Sequence, residues 1–249
     1  GITAIDKGIK ELYATGYMHN HLRMYVASLV CNIAKCNWKL AAKWMYFHLL
    51  DGDWASNALS WQWVCGTNSK KLYYANQENI NTYCNTSQKN TFLDIPYENI
   101  HTLEIPEVLK AVSTPFLTSN LPESDPTEFD QTLPSLIYNF YNLDPLWRND
   151  LLSNKILLLE PSLFKKYPVS KKSIEFCIKL GKANIKDLKV FVGEFADLKA
   201  RVNRKIYFKE HPINNYEGQE DPRSWLTSVK GEYNSFFSFW KKCKRELLN

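Results

Sequence analysis

Several familiar chemistries have no foothold in this sequence. Its six cysteines (Cys31, Cys36, Cys65, Cys84, Cys177 and Cys243) include no CxxC pair, so neither a zinc site nor a four-cysteine iron–sulfur cluster is supported. Reduced thiols in a cytoplasmic protein are the expectation. There is no GxxxxGK(S/T), GxGxxG or GxSxG, which removes the sequence signals for P-loop hydrolysis, for a dinucleotide fingerprint and for a hydrolase nucleophile elbow. No apolar run approaches the ~18 residues that would span a bilayer, and no signal peptide is visible. The chain therefore reads as soluble and intracellular, with no membrane partner. It starts at Gly1 rather than Met, which reads as a removed tag or an internal fragment with sequence missing upstream. No internal repeat or low-complexity tract stands out.

What is present suffices for a core. With 249 residues and 45% hydrophobic content, the chain can form one large domain or two small ones. A net charge of +5 suits a nucleic-acid surface and many cytoplasmic proteins alike.

The first third is patterned for helices. Ile5, Ile9, Leu12 and Tyr13 share a 3.6-period stripe, and Gly16 sits where a left-handed cap would end it. A second helix is predicted from Met18 to Ile33. A third, over Lys39 to Leu50, puts Ala41, Trp44, Met45 and His48 on one face before a DGD turn. From Asn68 to Pro134 an Asn-rich stretch and dispersed prolines predict a long irregular connection, anchored on the bundle by Phe92, Ile95, Tyr97, Phe116 and Leu117.

The last hundred residues change character. LPSLIYNFYNLDPLW (133–147) reads as helical, KILLLEP (155–161) as a strand, and 169–182 as an amphipathic helix capped by Ser170. LKVFVGEF (188–195) and KIYFKEHP (205–212) read as further strands. Strands separated by helical patterns predict a small parallel sheet, because parallel strands need long crossovers. A final helix carries the stripe Phe236, Trp240, Cys243 and Leu247. The fold class is thus mainly α, a helical bundle over 1–135 followed by a small parallel α/β segment over 136–249.

The second helix carries the chemistry. Asn20, Arg23, Met24 and Ala27 fall at i, i+3, i+4 and i+7 on one face, with Leu22, Val26, Leu29 and Ile33 on another. Burial on two sides obliges Arg23 to find a partner, since an unpaired buried charge costs about 3–5 kcal/mol. A carboxylate of the DGD turn is the natural one.

The block GYMHNHLRMYVAS (16–28), Trp38 and DGDWASNALSWQWVCG (51–66) resembles the flavin-binding core of the photolyase/cryptochrome family. It spans about a fifth of the chain. The resemblance implies a helical FAD-binding domain, with Asn20, Arg23, Asp51, Asp53 and Asn57 as flavin contacts and Asn57 close to N5. Met24 would lie beside the DNA lesion, as in the branch repairing cyclobutane dimers, although His19 and His21 leave the histidine-using (6-4) branch open. Trp61 would stand beside the flavin, Trp38 would follow it in a photoreduction chain, and Trp63 would contact substrate. The third chain member has no counterpart here, so photoreduction is expected to be impaired or rerouted through Trp44 or Trp54.

The implied function is light-driven electron transfer from reduced FAD to a flipped-out pyrimidine dimer in DNA, or blue-light sensing. An upstream antenna domain or a partner chain would complete it. The alternative is a non-catalytic DNA-binding or protein-interaction module that kept the fold and lost the flavin.

Three departures from the family accompany the match. The Ser/Thr-rich phosphate-binding loop is missing upstream. A segment like RIFNP is replaced by YYANQENINTY, whose Asn76, Gln77, Asn79 and Asn81 are the candidates to replace its contacts. The α/β segment follows the helical domain, whereas antenna-like sequence would precede it. DGDWASN also has the oxygen spacing of a calcium loop, but Ser56 and Gln62 stand where that loop needs Gly and Glu. The EHP motif (210–212) reads as a strand end. The cluster Lys241, Lys242, Lys244 and Arg245 reads as a solvated helix face with DNA phosphates as its other reading.

Overall fold

Left-handed geometry at Gly16 organises the helical half. The computed structural model describes residues 1–68, 71–126 and 128–248. Helix α1 (Thr3–Thr15) ends at Gly16, whose φ of 78° is open to glycine at little cost. A side chain there would also put its Cβ 2.5 Å from Cγ of Leu50. The close approach lets Leu50 N–H donate to the Gly16 carbonyl at 2.9 Å, which pins the DGD turn to the end of α1.

Helix α2 (Asn20–Ser28) runs on into a π-helical turn (Leu29–Ile33). Helices α3 (Trp38–His48) and α4 (Trp54–Val64) flank the DGD turn. Each is capped at its start by a side chain accepting a backbone N–H, Asn37 from Lys39 and Asp53 from Ser56. The buried face of α3 is Ala42, Met45 and Tyr46; Ala41, Trp44 and His48 are half-buried, a rotation of one position from the predicted stripe. Tyr13, placed on the α1 stripe, is 52% exposed at its rim.

The connection is more ordered than its composition predicted. Helix α5 (Gln77–Cys84) forms inside the Asn-rich stretch, started by a reciprocal Asn76–Asn79 capping box and held by fully buried Ile80. Phe92 and Ile95 pack on the helical core as anchors. Phe116 does not: it is 94% exposed. Tyr97 also stays half exposed, because the 3-10 turn that starts with it buries Ile100 instead.

In the second half, strands β1 (Ser135–Tyr138), β2 (Asn154–Leu159), β3 (Lys189–Val192), β4 (Ile206–Lys209) and β5 (Gln219–Asp221) form one all-parallel sheet in the order β3-β2-β1-β4-β5. Helices α6 (Pro161–Lys166), α7 (Lys171–Asn184) and α8 (Phe195–Lys199) lie between the strands in sequence. The last helix, α9 (Phe236–Leu247), is capped by Ser235. The helical reading of 133–147 is corrected by β1. All four of its residues are buried, and a strand covered on both faces has a continuous apolar run that lacks the period of two. Along β2, Leu157 and Leu159 enter one core while Ile156 and Leu158 enter the other. The architecture is a helical first half followed by an α/β half, as the pattern predicted, but with a five-stranded parallel sheet that makes the whole more mixed than mainly α.

The sheet has the strand order of doubly wound dinucleotide-binding domains, in which ligands take the crevice where the order reverses. Here that crevice, between β1 and β4, is filled by protein. Tyr141 and His211 stack across it at 4.7 Å and 8°, and Asn139 Nδ2 donates to Asn214 Oδ1 at 2.9 Å.

Edge strand β5 is held by one carboxylate. Asp221 accepts Arg148 Nη2 at 2.9 Å and Trp147 Nε1 at 2.9 Å. Hydrogen bonding to Arg148, ahead of Trp147, lowers its pKa from 3.8 to about 2. A depressed carboxylate stabilises the fold above its unfolded pKa and loses that contribution as pH falls towards the folded one. Asp221→Asn is expected to cost about 2 kcal/mol at pH 7. In urea unfolding, the gap between wild type and variant should close between pH 4 and pH 2; a gap that persisted at pH 2 would contradict the assignment.

The two halves meet behind the DGD turn. Ser170 N–H donates to the Phe47 carbonyl at 2.8 Å, and the Ser173 hydroxyl to that of Leu49 at 3.4 Å. The phenols of Tyr46 and Tyr141 are hydrogen-bonded to each other. Lys172 Nζ caps α1 by donating to the carbonyls of Tyr13 and Ala14, and Trp54 packs on Tyr46 and Tyr167.

Candidate functional site

Three elements converge on one cavity of about 210 Å³: the pocket face of α2, the DGD turn, and one stripe of α4. From α2 come Asn20, Arg23, Met24 and Ala27, the four residues predicted to share a face. The turn contributes Asp51, Gly52 and Asp53, and α4 contributes Ser56, Asn57, Ser60, Trp61 and Val64. Met45 of α3 and Leu49, which follows that helix, close the wall.

Arg23 is the hub. Its Nη2 donates to both carboxylate oxygens of Asp51, at 2.9 and 2.8 Å, and its Nε donates to the Met18 carbonyl at 2.7 Å. The carboxylate partner expected from the DGD turn is thus Asp51. The pair ties α2 to the turn across the mouth of the cavity, and Asp51 remains about half exposed. Asp53 faces the same cavity but is committed elsewhere, its Oδ1 accepting the Ser56 N–H at 2.7 Å as the cap of α4.

Asn57 is held by its amide nitrogen, which donates to the Ala42 carbonyl at 2.8 Å. That orientation leaves the side-chain oxygen as the acceptor on the cavity wall. Trp61, one turn along, is 2% exposed. Met24, Met45, Leu49 and Trp61 give the cavity an apolar, polarisable lining, and its polar groups come from α2, the DGD turn and the Ser56–Asn57–Ser60 side of α4. The arrangement suits a flat heteroaromatic ring with hydrogen-bonding atoms along one edge.

The structure brings together Asn20, Arg23, Met24, Asp51, Asp53, Asn57 and Trp61, and leaves two predicted residues outside. Trp38 lies in a separate surface depression with Cys31, Lys35, Cys65 and Leu72. Trp63 is 46% exposed on another side of α4, against Tyr73 at 5.2 Å. A step of two residues turns a helix by about 200°, which carries Trp63 away from Trp61. Asn76, Gln77, Asn79 and Asn81, offered as substitute contacts, are spent on the α5 cap and on Thr91, Thr86 and Gln88, and none lines the cavity. Sequence reading passed over Ser60 and Val64, although they extend the Asn57–Trp61 stripe at i+3. It also passed over Leu49, which falls off the predicted stripe of Ala41, Trp44, Met45 and His48 and follows the end of α3.

A wider groove of about 570 Å³ lies against Val26 of the other α2 face and Val30 of the π-helical turn, with Ile9, Tyr13, Trp44 and Pro115. It contains no charged side chain, so the smaller cavity is the one equipped for chemistry. Among the described residues no cluster of His, Cys, Asp and Glu could hold a metal ion. No described helix is long and apolar enough to cross a membrane.

Comparison with known proteins addresses the same region. The family model for the FAD binding domain of DNA photolyase matches residues 1–102. The chain is 42% identical over 67 residues to a deoxyribodipyrimidine photo-lyase of Agrobacterium fabrum, covering 27% of this chain and 14% of the relative. It is 37% identical over 67 residues to cryptochrome-1 of Arabidopsis thaliana, covering 27% and 10%. A deoxyribodipyrimidine photo-lyase of Salmonella typhimurium shares 36% over 74 residues, covering 30% and 16%. The chain thus spans between a tenth and about a sixth of the length of these curated relatives. No solved structure matches it. The cavity lies wholly inside the matched segment, and that segment, residues 1–102, is similar to the FAD binding domain of DNA photolyase.

Proposed function

We propose that the chain is a flavoprotein that uses light, acting in repair of cyclobutane pyrimidine dimers in DNA or in blue-light sensing. The observation that carries this reading is the convergence of Asn20, Arg23, Asp51, Asp53 and Asn57 with Met24 and Trp61 around one apolar-walled cavity. A bound flavin would supply one-electron transfer on illumination; the protein's share is orientation and electrostatics.

Arg23 would meet ring acceptors with its Nη1 edge while Asp51 balances its charge. The oxygen of Asn57 would accept from a ring N–H. Trp61, buried in the wall, would be the adjacent electron donor. Trp54 is better placed than Trp44 as a further donor: it contacts Tyr46 at 5.2 Å, and Tyr46 in turn packs on cavity-lining Gly52. Trp44 lies on the other groove. Met24, on the α2 wall, would face a base flipped out of a duplex, which damage makes less costly to extrude.

The test is the absorption spectrum from the near ultraviolet to 500 nm, with added flavin, of wild type and Asn57→Ala. A structured flavin band in the wild type, altered in shape and photoreduction kinetics by the substitution, is the expected result. No band with excess flavin would overturn the reading and leave a module that interacts without a cofactor.

A further inference from the structure

Among the described residues, the cavity has room for one flat ring system and no provision for phosphates. It encloses about 210 Å³, whereas sites that bury a whole drug-sized ligand usually run to ~300–1,000 Å³ and a single benzene occupies a cavity of ~150 Å³. One flat ring system is what this space takes.

Charge gives an independent argument. Phosphate recognition needs cations, free backbone N–H groups at a helix start, or a nest of glycines. Among the described residues the cavity lining contains one cation, Arg23, and two carboxylates, Asp51 and Asp53. Asp51 already neutralises Arg23 through two hydrogen bonds. The start of α4 carries the negative Asp53 carboxylate, which caps it by accepting the Ser56 N–H, and that of α2 is capped by the His19 ring, which accepts the His21 N–H at 3.3 Å. A phosphate at this mouth would meet net negative charge.

Building on the flavin reading above, we infer that this chain recognises the isoalloxazine ring alone, so that riboflavin, FMN and FAD bind it with the same affinity. The site is a half-site: among the described residues its lining offers no contact to the phosphates or adenine of FAD, and affinity gained from such contacts is absent here.

Quenching of flavin fluorescence decides this on the 249-residue chain. Titration with riboflavin, FMN and FAD should give dissociation constants within threefold of one another, and millimolar ADP should not displace riboflavin. FMN or FAD binding more than threefold tighter than riboflavin, or displacement by ADP, would overturn the half-site while leaving the flavin reading intact. Quenching by none of the three would instead overturn the flavin reading on which it rests.

Discussion

Replacing Trp61 by alanine is expected to lower the stability of the chain by about 3–5 kcal/mol, the usual cost of deleting a fully buried large aromatic. Trp61 is 2% exposed and belongs to the core shared by α1 to α5. For a domain of this size the loss corresponds to a melting temperature lower by roughly 10 °C. Part of the lost volume would join the neighbouring cavity and admit water, so collapse around it would recover little. Trp61→Phe separates packing from chemistry, because it keeps most of the apolar contact and removes the indole. The phenylalanine variant is expected to stay folded and bind flavin while its light-driven flavin reduction slows at least tenfold. If reduction proceeded at the wild-type rate in Trp61→Phe, another residue would be the adjacent donor.

Substitution of Arg23 should have the opposite profile. Its partner Asp51 is half exposed, and ion pairs of that kind contribute only ~0–1 kcal/mol to folding. Arg23→Ala should therefore leave the melting temperature within a few degrees of wild type. The effect on the ligand is larger. Loss of a charged donor costs ~1.5–3 kcal/mol, and Asp51 would then face the cavity without neutralisation. Flavin affinity is expected to fall about 100-fold, equivalent to ~3 kcal/mol. Arg23→Lys keeps the charge but cannot reach Asp51 and the Met18 carbonyl together, and should lie between. Calorimetry paired with flavin titration checks both profiles. An Arg23→Ala protein that melted like Trp61→Ala, with flavin affinity unchanged, would make the arginine structural.

Much of this was legible before any coordinates. Periodicity located α1 to α3, and Gly16 marked the first helix end because a left-handed cap strongly favours glycine. The Arg23 partner followed from the cost of an unpaired charge, and the parallel sheet from strands too far apart for hairpins. Other elements were hidden for identifiable reasons. Strand β1 was read as helix because a strand buried on both faces carries no alternation. Helix α5 was lost in an Asn-rich stretch whose helix depends on a capping box and on one buried residue, Ile80. Phe116 was taken for an anchor because hydrophobicity does not say which side chain the chain path turns outward; it is 94% exposed.

The sequence by itself determined the resemblance of residues 16–66 to a flavin-binding core, the face of α2 that carries Asn20, Arg23 and Met24, and the DGD turn that follows α3. These follow from side-chain type and local spacing. Only the tertiary structure decided that Asp51 takes Arg23 while Asp53 caps α4, and that Trp61 joins the cavity while Trp38 and Trp63 do not. It also decided that the α/β half braces the turn through Ser170, Ser173 and Tyr141. Each of these depends on where separate elements cross in space, and helical phase and residue identity carry no information about that crossing.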